Sequence, residues 1–258
     1  MKRILLLCYI VSAALTLRAQ TGEIPKDTVA PVKGKAWKEN HYLDISMAGG
    51  ENIFITSVQW DKLFGIAWKK RVKIGFGVRV NMANTWAKDF RTPFYNRPDQ
   101  NTFDTLRMDQ QTTFFVNLTF LAEISLFKWM DAGLCEDIVG VSFGERGEGS
   151  LYGESVPFGG IRQSTHPALF NAFLFGQNDR GSLNSQFYLR FWPTNDFFIK
   201  GGFGISHITQ STDADVSANG REFRAADYLG FISLGWTPGR NEWIGKKKPR
   251  PTLITPSF

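Results

Sequence analysis

VKIGFGVRVNMA, residues Val72–Ala83, decides the fold. Ile74, Phe76, Val78, Val80 and Met82 fall on one face, and Lys73, Gly75, Gly77, Arg79 and Asn81 fall on the other. Side chains of a strand alternate between faces, so this period of two describes a β-strand with one apolar and one polar face. A tilted strand of ~9–11 such residues is long enough to cross a bilayer. The next clear segment, TTFFVNLTFLAEISL, repeats the pattern. Phe114, Val116, Leu118, Phe120, Ala122, Ile124 and Leu126 oppose Thr113, Asn117, Thr119, Glu123 and Ser125.

Further segments alternate in the same way. Leu43, Ile45 and Met47 oppose Tyr42, Asp44 and Ser46; Val58, Trp60, Phe64, Ile66 and Trp68 oppose Ser57, Gln59, Asp61 and Gly65. Phe187, Leu189 and Phe191 oppose Gln186, Tyr188 and Arg190, and Ile199, Phe203 and Ile205 oppose Lys200, Gly202, Gly204 and Ser206. Tyr228, Ile232, Leu234 and Trp236 give the last strand its apolar face. In Trp129–Phe143 the run Cys135-Glu136-Asp137 breaks either parity, and a β-bulge reconciles it.

Alternation alone fits a soluble sandwich as well as a membrane barrel. Connection lengths and charges separate the two. The links Lys69–Arg71, Phe127–Lys128 and Pro193–Asp196 are short, whereas Thr85–Gln110 and Gly144–Gly181 are long, Gln210–Phe223 is intermediate, and Gly50–Thr56 is the one brief link on the long side. Short turns at one end and long loops at the other is the layout of outer-membrane barrels. Arg79, Glu123, Arg190 and Lys200 all sit mid-strand on the polar face. On the lipid side a midplane Arg or Lys would cost ~2–4 kcal/mol. The fold expected is therefore all-β: a transmembrane antiparallel up-and-down barrel of about eight strands over residues 41–238. The count rises to ten if the apolar stretch PALFNAFLFG, Pro167–Gly176, adds a hairpin; otherwise that stretch covers the barrel mouth or meets a partner.

The ends fit export. Met1-Lys2-Arg3, an apolar run from Ile4 to Leu17 and then Arg18-Ala19-Gln20 describe a signal peptide, residues 1–20. The run is shorter than the ~20 residues of a membrane helix. Residues 21–40 read as a polar periplasmic linker and residues 239–258 as a basic periplasmic tail. The net charge of +6 belongs largely to these ends, so it gives no support to nucleic-acid binding. Without the signal, Cys135 is a lone thiol, and no disulfide framework is expected.

The signal ending in Arg-Ala-Gln, the meander of amphipathic strands with Gly-rich inner faces and the aromatic strand ends resemble the small outer-membrane β-barrel proteins of Gram-negative bacteria. The chain departs from that pattern in carrying a tail beyond Thr237, so that the terminal Phe258 lies far from the last strand.

The lumen of so narrow a barrel is filled by side chains. Arg79, Arg190 and Lys200, with Glu123, Asp44, Asp61 and Asp227 as counter-charges, are expected to form a charge network inside it; the competing reading is a narrow, charge-lined pore. A catalytic site is not expected, because Ser206 and His207 are adjacent and point to opposite faces. His41 and His166 stand at a strand start and in a loop. Neither a cofactor nor a metal is expected: in the loop Ser211–Gly220, Asp213, Asp215, Ser217 and Asn219 offer oxygens. Ala218 and Arg224 stand where a calcium loop wants Gly and Glu. The function expected is a structural or interaction component of the cell envelope, with an accessory part of a secretion or assembly machine as one version. The alternatives are a small-solute channel and a lipid-modifying enzyme. Partners would be outer-membrane lipid and an envelope protein, met by the outer loops or by Lys246, Lys247, Lys248 and Arg250.

Overall fold

The computed structural model describes residues 39–68, 71–93, 103–153, 160–174, 178–194, 196–213 and 220–237. The signal segment, nearly all of the linker and the basic tail, with Lys246, Lys247, Lys248 and Arg250, lie outside the described residues. Among the described residues eleven strands run as β1 Glu39–Gly50, β2 Ile53–Ala67, β3 Val72–Arg91, β4 Asp104–Phe127, β5 Met130–Gly144, β6 Gly147–Gly153, β7 Ile161–Pro167, β8 Phe170–Ala172, β9 Leu183–Phe191, β10 Phe197–Thr212 and β11 Glu222–Trp236.

Eight of them close a ring. β1 to β5 pair in succession, β5 pairs with β9, β9 with β10, β10 with β11, and β11 returns to β1, every pair antiparallel. The alternation read from Val72–Ala83 sets its faces: Lys73, Arg79 and Asn81 are buried in the lumen, while Phe76 and Val80 are exposed outside. Leu43, Ile45, Met47, Leu118, Phe203, Ile232 and Leu234 extend the apolar outer belt. This is a barrel of the transmembrane kind, apolar outside and charged within. Glycine lets the large inner side chains fit. A Cβ on Gly77 would stand 2.1 Å from Asp61 Oδ1, and one on Gly235 would stand 2.0 Å from the Phe198 ring.

A second tier stands on the end opposite the short turns, where the sequence reading placed loops. β3 runs on to Arg91 and β4 begins at Asp104, so most of Thr85–Gln110 is a continuing hairpin. β6 and β7 form another within Gly144–Gly181. There β4 leaves β5 and pairs with β6, β6 with β7, β7 with β10, β10 with β11, and β11 bridges back to β3. The barrel therefore narrows from eight strands to a closed ring of six. The β1–β2 hairpin ends beneath this ring at the Glu51–Asn52 turn, where Asn52 takes a left-handed φ of 58°.

Of the stretch Pro167–Gly176 residues 167–174 are described; they lie along the barrel wall, and Ala172 also bridges Arg180 in antiparallel fashion. Phe170–Ala172 is β8, paired with Val139–Val141 of β5, and Leu169 and Phe170 face outward beside Val141 and Phe143. Asn171 fastens it: Nδ2 donates to Asn117 Oδ1 at 2.8 Å, and Oδ1 accepts from Ser142 Oγ and the Ser182 backbone N–H, both at 2.8 Å. The parity break in β5 is resolved by a bulge. Asp137 pairs with Thr119 and Val139 with Leu118, so Ile138 is the extra residue that turns outward.

Candidate functional site

Two interiors lie one above the other, and they differ in chemistry. In the lower ring the expected cations are buried and paired. Arg79 donates through Nε to Gln59 Oε1 at 3.0 Å and through Nη2 to Gln186 Oε1 at 3.0 Å and Cys135 Sγ at 2.6 Å. Its Nη1 stands 3.2 Å from Asp137 Oδ1. Lys200 Nζ donates to Asp44 Oδ2 at 2.8 Å, and Ser233 Oγ donates to Asp44 Oδ1 at 2.7 Å. Asp61 accepts from Gln59 Nε2 at 2.7 Å and makes no ion pair among the described residues.

Nearer the short turns, Glu123 is the hub. It accepts from Lys73 Nζ at 2.7 Å, from Tyr188 Oη at 3.1 Å and from Arg190 Nη1. Asp131 lies 3.4 Å from Lys73 Nζ and accepts from Trp192 Nε1 at 2.7 Å. The Arg190 guanidinium sits among four rings, 4.4 Å from the centroid of Tyr42, 4.6 Å from Phe198, 5.3 Å from Tyr188 and 5.8 Å from Trp192. Aromatic faces carry negative potential, so this box holds the cation where water does not reach it. Lys73, Asp131 and Asp137 were not among the expected members. Lys73 falls on the polar face of the opening segment, so its place was readable; Asp137 was hidden by the bulge.

Asp227 belongs elsewhere. It is buried on the inner side of β11, well above Lys200, and its partner is Lys88 Nζ, which also donates to the Glu51 carbonyl at 3.1 Å. The hairpin tip lies too low to separate β3 from β11 at that height, so Lys88 spans the gap instead.

In the second tier the inner residues include Phe90, Leu106, Met108, Leu151 and Phe223, all but completely buried, together with the buried polar side chains of Asp104, Thr165 and Thr212. The outside carries charge: Arg107 donates to both oxygens of Asp89, at 2.8 and 3.1 Å, and Arg162 and Arg146 face Glu148 and Asp213 at 3.3 and 3.7 Å. The two-armed bond from Arg107 holds the Asp89 carboxyl below its ordinary value. The exchange of faces has a local cause on β3 and β4. Thr85 and Gln111 point inward, but beyond Ala87, whose φ is a left-handed 46°, Phe90, Met108 and Leu106 point inward instead.

A cavity of about 10 Å³ among Ala48, Ile55, Ser57, Gln186 and Leu229 is water-sized. Ser206 is buried inward and His207 turns to the other side, so the pair does not converge. Asp213 of the loop Ser211–Gly220 faces Arg146 and His166; Asp215, Ser217 and Asn219 lie outside the described residues.

No protein-family model and no curated protein matches the chain. Among solved structures it is similar to Neisserial surface protein A, with TM-score 0.30 and 8% identity over 76% of this chain and 94% of that one. It is similar also to the Yersinia pestis outer membrane protein Ail in a phospholipid nanodisc, with TM-score 0.29 and 13% identity over 78% of this chain and 100% of that one. A second structure of Ail, in complex with the heparin analogue sucrose octasulfate, gives TM-score 0.29 and 11% identity over 78% and 99%. The likeness is weak and concerns the chain trace alone.

Proposed function

We propose that this chain is an outer-membrane β-barrel that serves the cell envelope as a structural or interaction component, holding a rigid six-stranded tier above the outer leaflet. One observation carries the reading: side-chain polarity inverts along the barrel. The eight-stranded ring is apolar outside and charged inside, which suits lipid around it. The six-stranded tier is mostly apolar inside and carries exposed ion pairs outside, which suits water. The start of β1, the end of β11 and the short turns lie at the other end of the ring, the periplasmic side in barrels of this kind.

The filled lumen favours this reading over a narrow pore. Arg79, Arg190 and Lys200 are all but completely buried, and the apolar tier stands directly above them. The partners in this reading are outer-membrane lipid and an envelope protein that meets the tier, the loops around it or the basic tail; a secretion or assembly accessory is one form of it. Gel mobility tests the placement: the unboiled chain should run faster than the boiled chain, and identical migration would refute a membrane barrel. Planar-bilayer recording should give no channel, and steady single-channel currents would restore the pore. Co-purification from detergent-solubilised membranes, with and without residues 239–258, shows whether a partner is held by the tail.

A further inference from the structure

Between the tip of the β1–β2 hairpin and the bridge Arg91↔Arg224, β3 and β11 border a wedge in the barrel wall. β1 pairs with β11 up to Gly49↔Gly230, and β2 pairs with β3 up to Ile53↔Thr85. At that height two strands stand between β3 and β11, so their separation is three spacings of ~4.8 Å, about 14 Å. Higher up they are direct neighbours at the bridge. Residues 86–90 of β3 and 225–229 of β11 flank the wedge with no ladder pair between them among the described residues.

A strand edge without a neighbour leaves backbone groups that need other partners. The hairpin tip supplies one link, because the Trp86 N–H donates to the Asn52 carbonyl at 3.2 Å. Lys88 supplies another. Its Nζ donates to the Glu51 carbonyl at 3.1 Å and to Asp227 Oδ1, so one ammonium ties β3 to the tip and to β11. The two side chains are largely buried, at 14% and 8% exposure. Behind them Leu229, two residues from Asp227 on the same inner face, lines the water-sized cavity with Ala48, Ile55, Ser57 and Gln186. In front, Trp86 and Tyr228 stand exposed, one on each strand. A ladder of this length would open only by breaking several backbone bonds together, whereas a flexible lysine stem leaves by rotating one side chain. We propose that Lys88 is a strap: engaged, it seals the wedge between β3 and β11, and released, it opens a lateral passage from the outside of the wall to the cavity behind Leu229. The strap concerns the wall itself and does not depend on the envelope role proposed above.

The test is thiol labelling of the full chain in detergent micelles with N-ethylmaleimide, a small uncharged reagent. Leu229→Cys places a reporter behind the strap, and the native Cys135, buried lower in the ring, serves as the reference. With Lys88 in place, labelling at position 229 should be slow. Lys88→Met keeps the reach of the arm and removes its charge; it should speed labelling about tenfold or more, as expected for the loss of a charge-assisted link. Lys88→Arg should keep it slow. Cys135 should stay unreactive throughout, and the temperature at which heating changes gel mobility should hardly move. Amide exchange reads the same event without the cysteine variant: in Lys88→Met, residues 86–90 and 225–229 should exchange faster, and the rest of the ring should not. Rates unchanged by Lys88→Met, in labelling or in exchange, overturn the strap. A rise at Cys135 together with position 229, or a marked fall in the heating midpoint, shows general loosening on loss of an ordinary structural pair and overturns it equally.

Discussion

The lower ring and the tier above it are built from the same strands and solve opposite problems. β3 and β4 pass through both. Below Ala87 their even-numbered residues, from Ile74 to Trp86 and from Phe114 to Leu126, face outward; above it Phe90, Leu106 and Met108 face inward. One residue in a left-handed conformation, with the local change of face that it brings, moves the apolar side from the outside to the inside. β11 needs no such switch, because its inner positions change from Ser233 and Gly235 below to Phe223 and Ala225 above. The ring thus combines buried charge with buried apolar side chains such as Leu63, Phe115, Leu121 and Phe198, whereas the buried residues of the tier are mostly apolar.

The difference sets the size of each mutational effect. Removing the hub of the ring should cost most. Glu123→Ala leaves Lys73 and Arg190 buried with too little negative charge, and breaking a buried pair costs about 3–5 kcal/mol. Urea unfolding in detergent micelles should show a large fall in midpoint, and an unchanged midpoint would mean that water reaches the lumen. Next comes a charge on the belt: Val80→Arg should cost ~2–4 kcal/mol in lipid, whereas the same change at the exposed Ser164, on the outside of the tier opposite Glu148, should be nearly neutral. Equal effects at the two sites would remove the contrast between them.

Much of this was legible in the sequence where local pattern and final environment agree. In Val72–Ala83 the period of two gave strand, faces and the inward Arg79 together. The tier was not legible, because the switch at Ala87 makes Trp86–Phe90 read as irregular, and Gly147–Gly153 has too few apolar residues to announce a strand. The partner of Asp227 was not legible, since the gap that Lys88 spans depends on where the β1–β2 hairpin stops. Asp137 required the exact position of a bulge that the sequence located only to a few residues.

Smaller effects sharpen the contrast. A left-handed conformation costs a non-glycine residue about 1–2 kcal/mol, so Ala87→Gly should stabilise the tier by up to ~1 kcal/mol after the loss of unfolded-state entropy. Slower proteolysis of the tier in intact vesicles would show it; faster cleavage would mean that the switch is not under strain. Asp89→Asn should change stability by only a few tenths of a kcal/mol, as exposed pairs do. Because Arg107 holds Asp89 below the ordinary carboxylate value, this small contribution is present at neutral pH. It should fade as the pH falls through the lowered value, and calorimetry of wild type against variant from neutral to acidic pH would follow it.

Inversion of polarity is tested most directly by spin labels on the outer face, with the buried Cys135 left in place. Labels at Val80→Cys and Ile232→Cys should collide more readily with oxygen, which partitions into lipid. Labels at Arg107→Cys and Arg162→Cys should collide more readily with a water-soluble nickel complex. Nickel-dominated relaxation at Val80 and Ile232, or oxygen-dominated relaxation at Arg107 and Arg162, would contradict a barrel whose lower ring stands in lipid and whose upper tier stands in water.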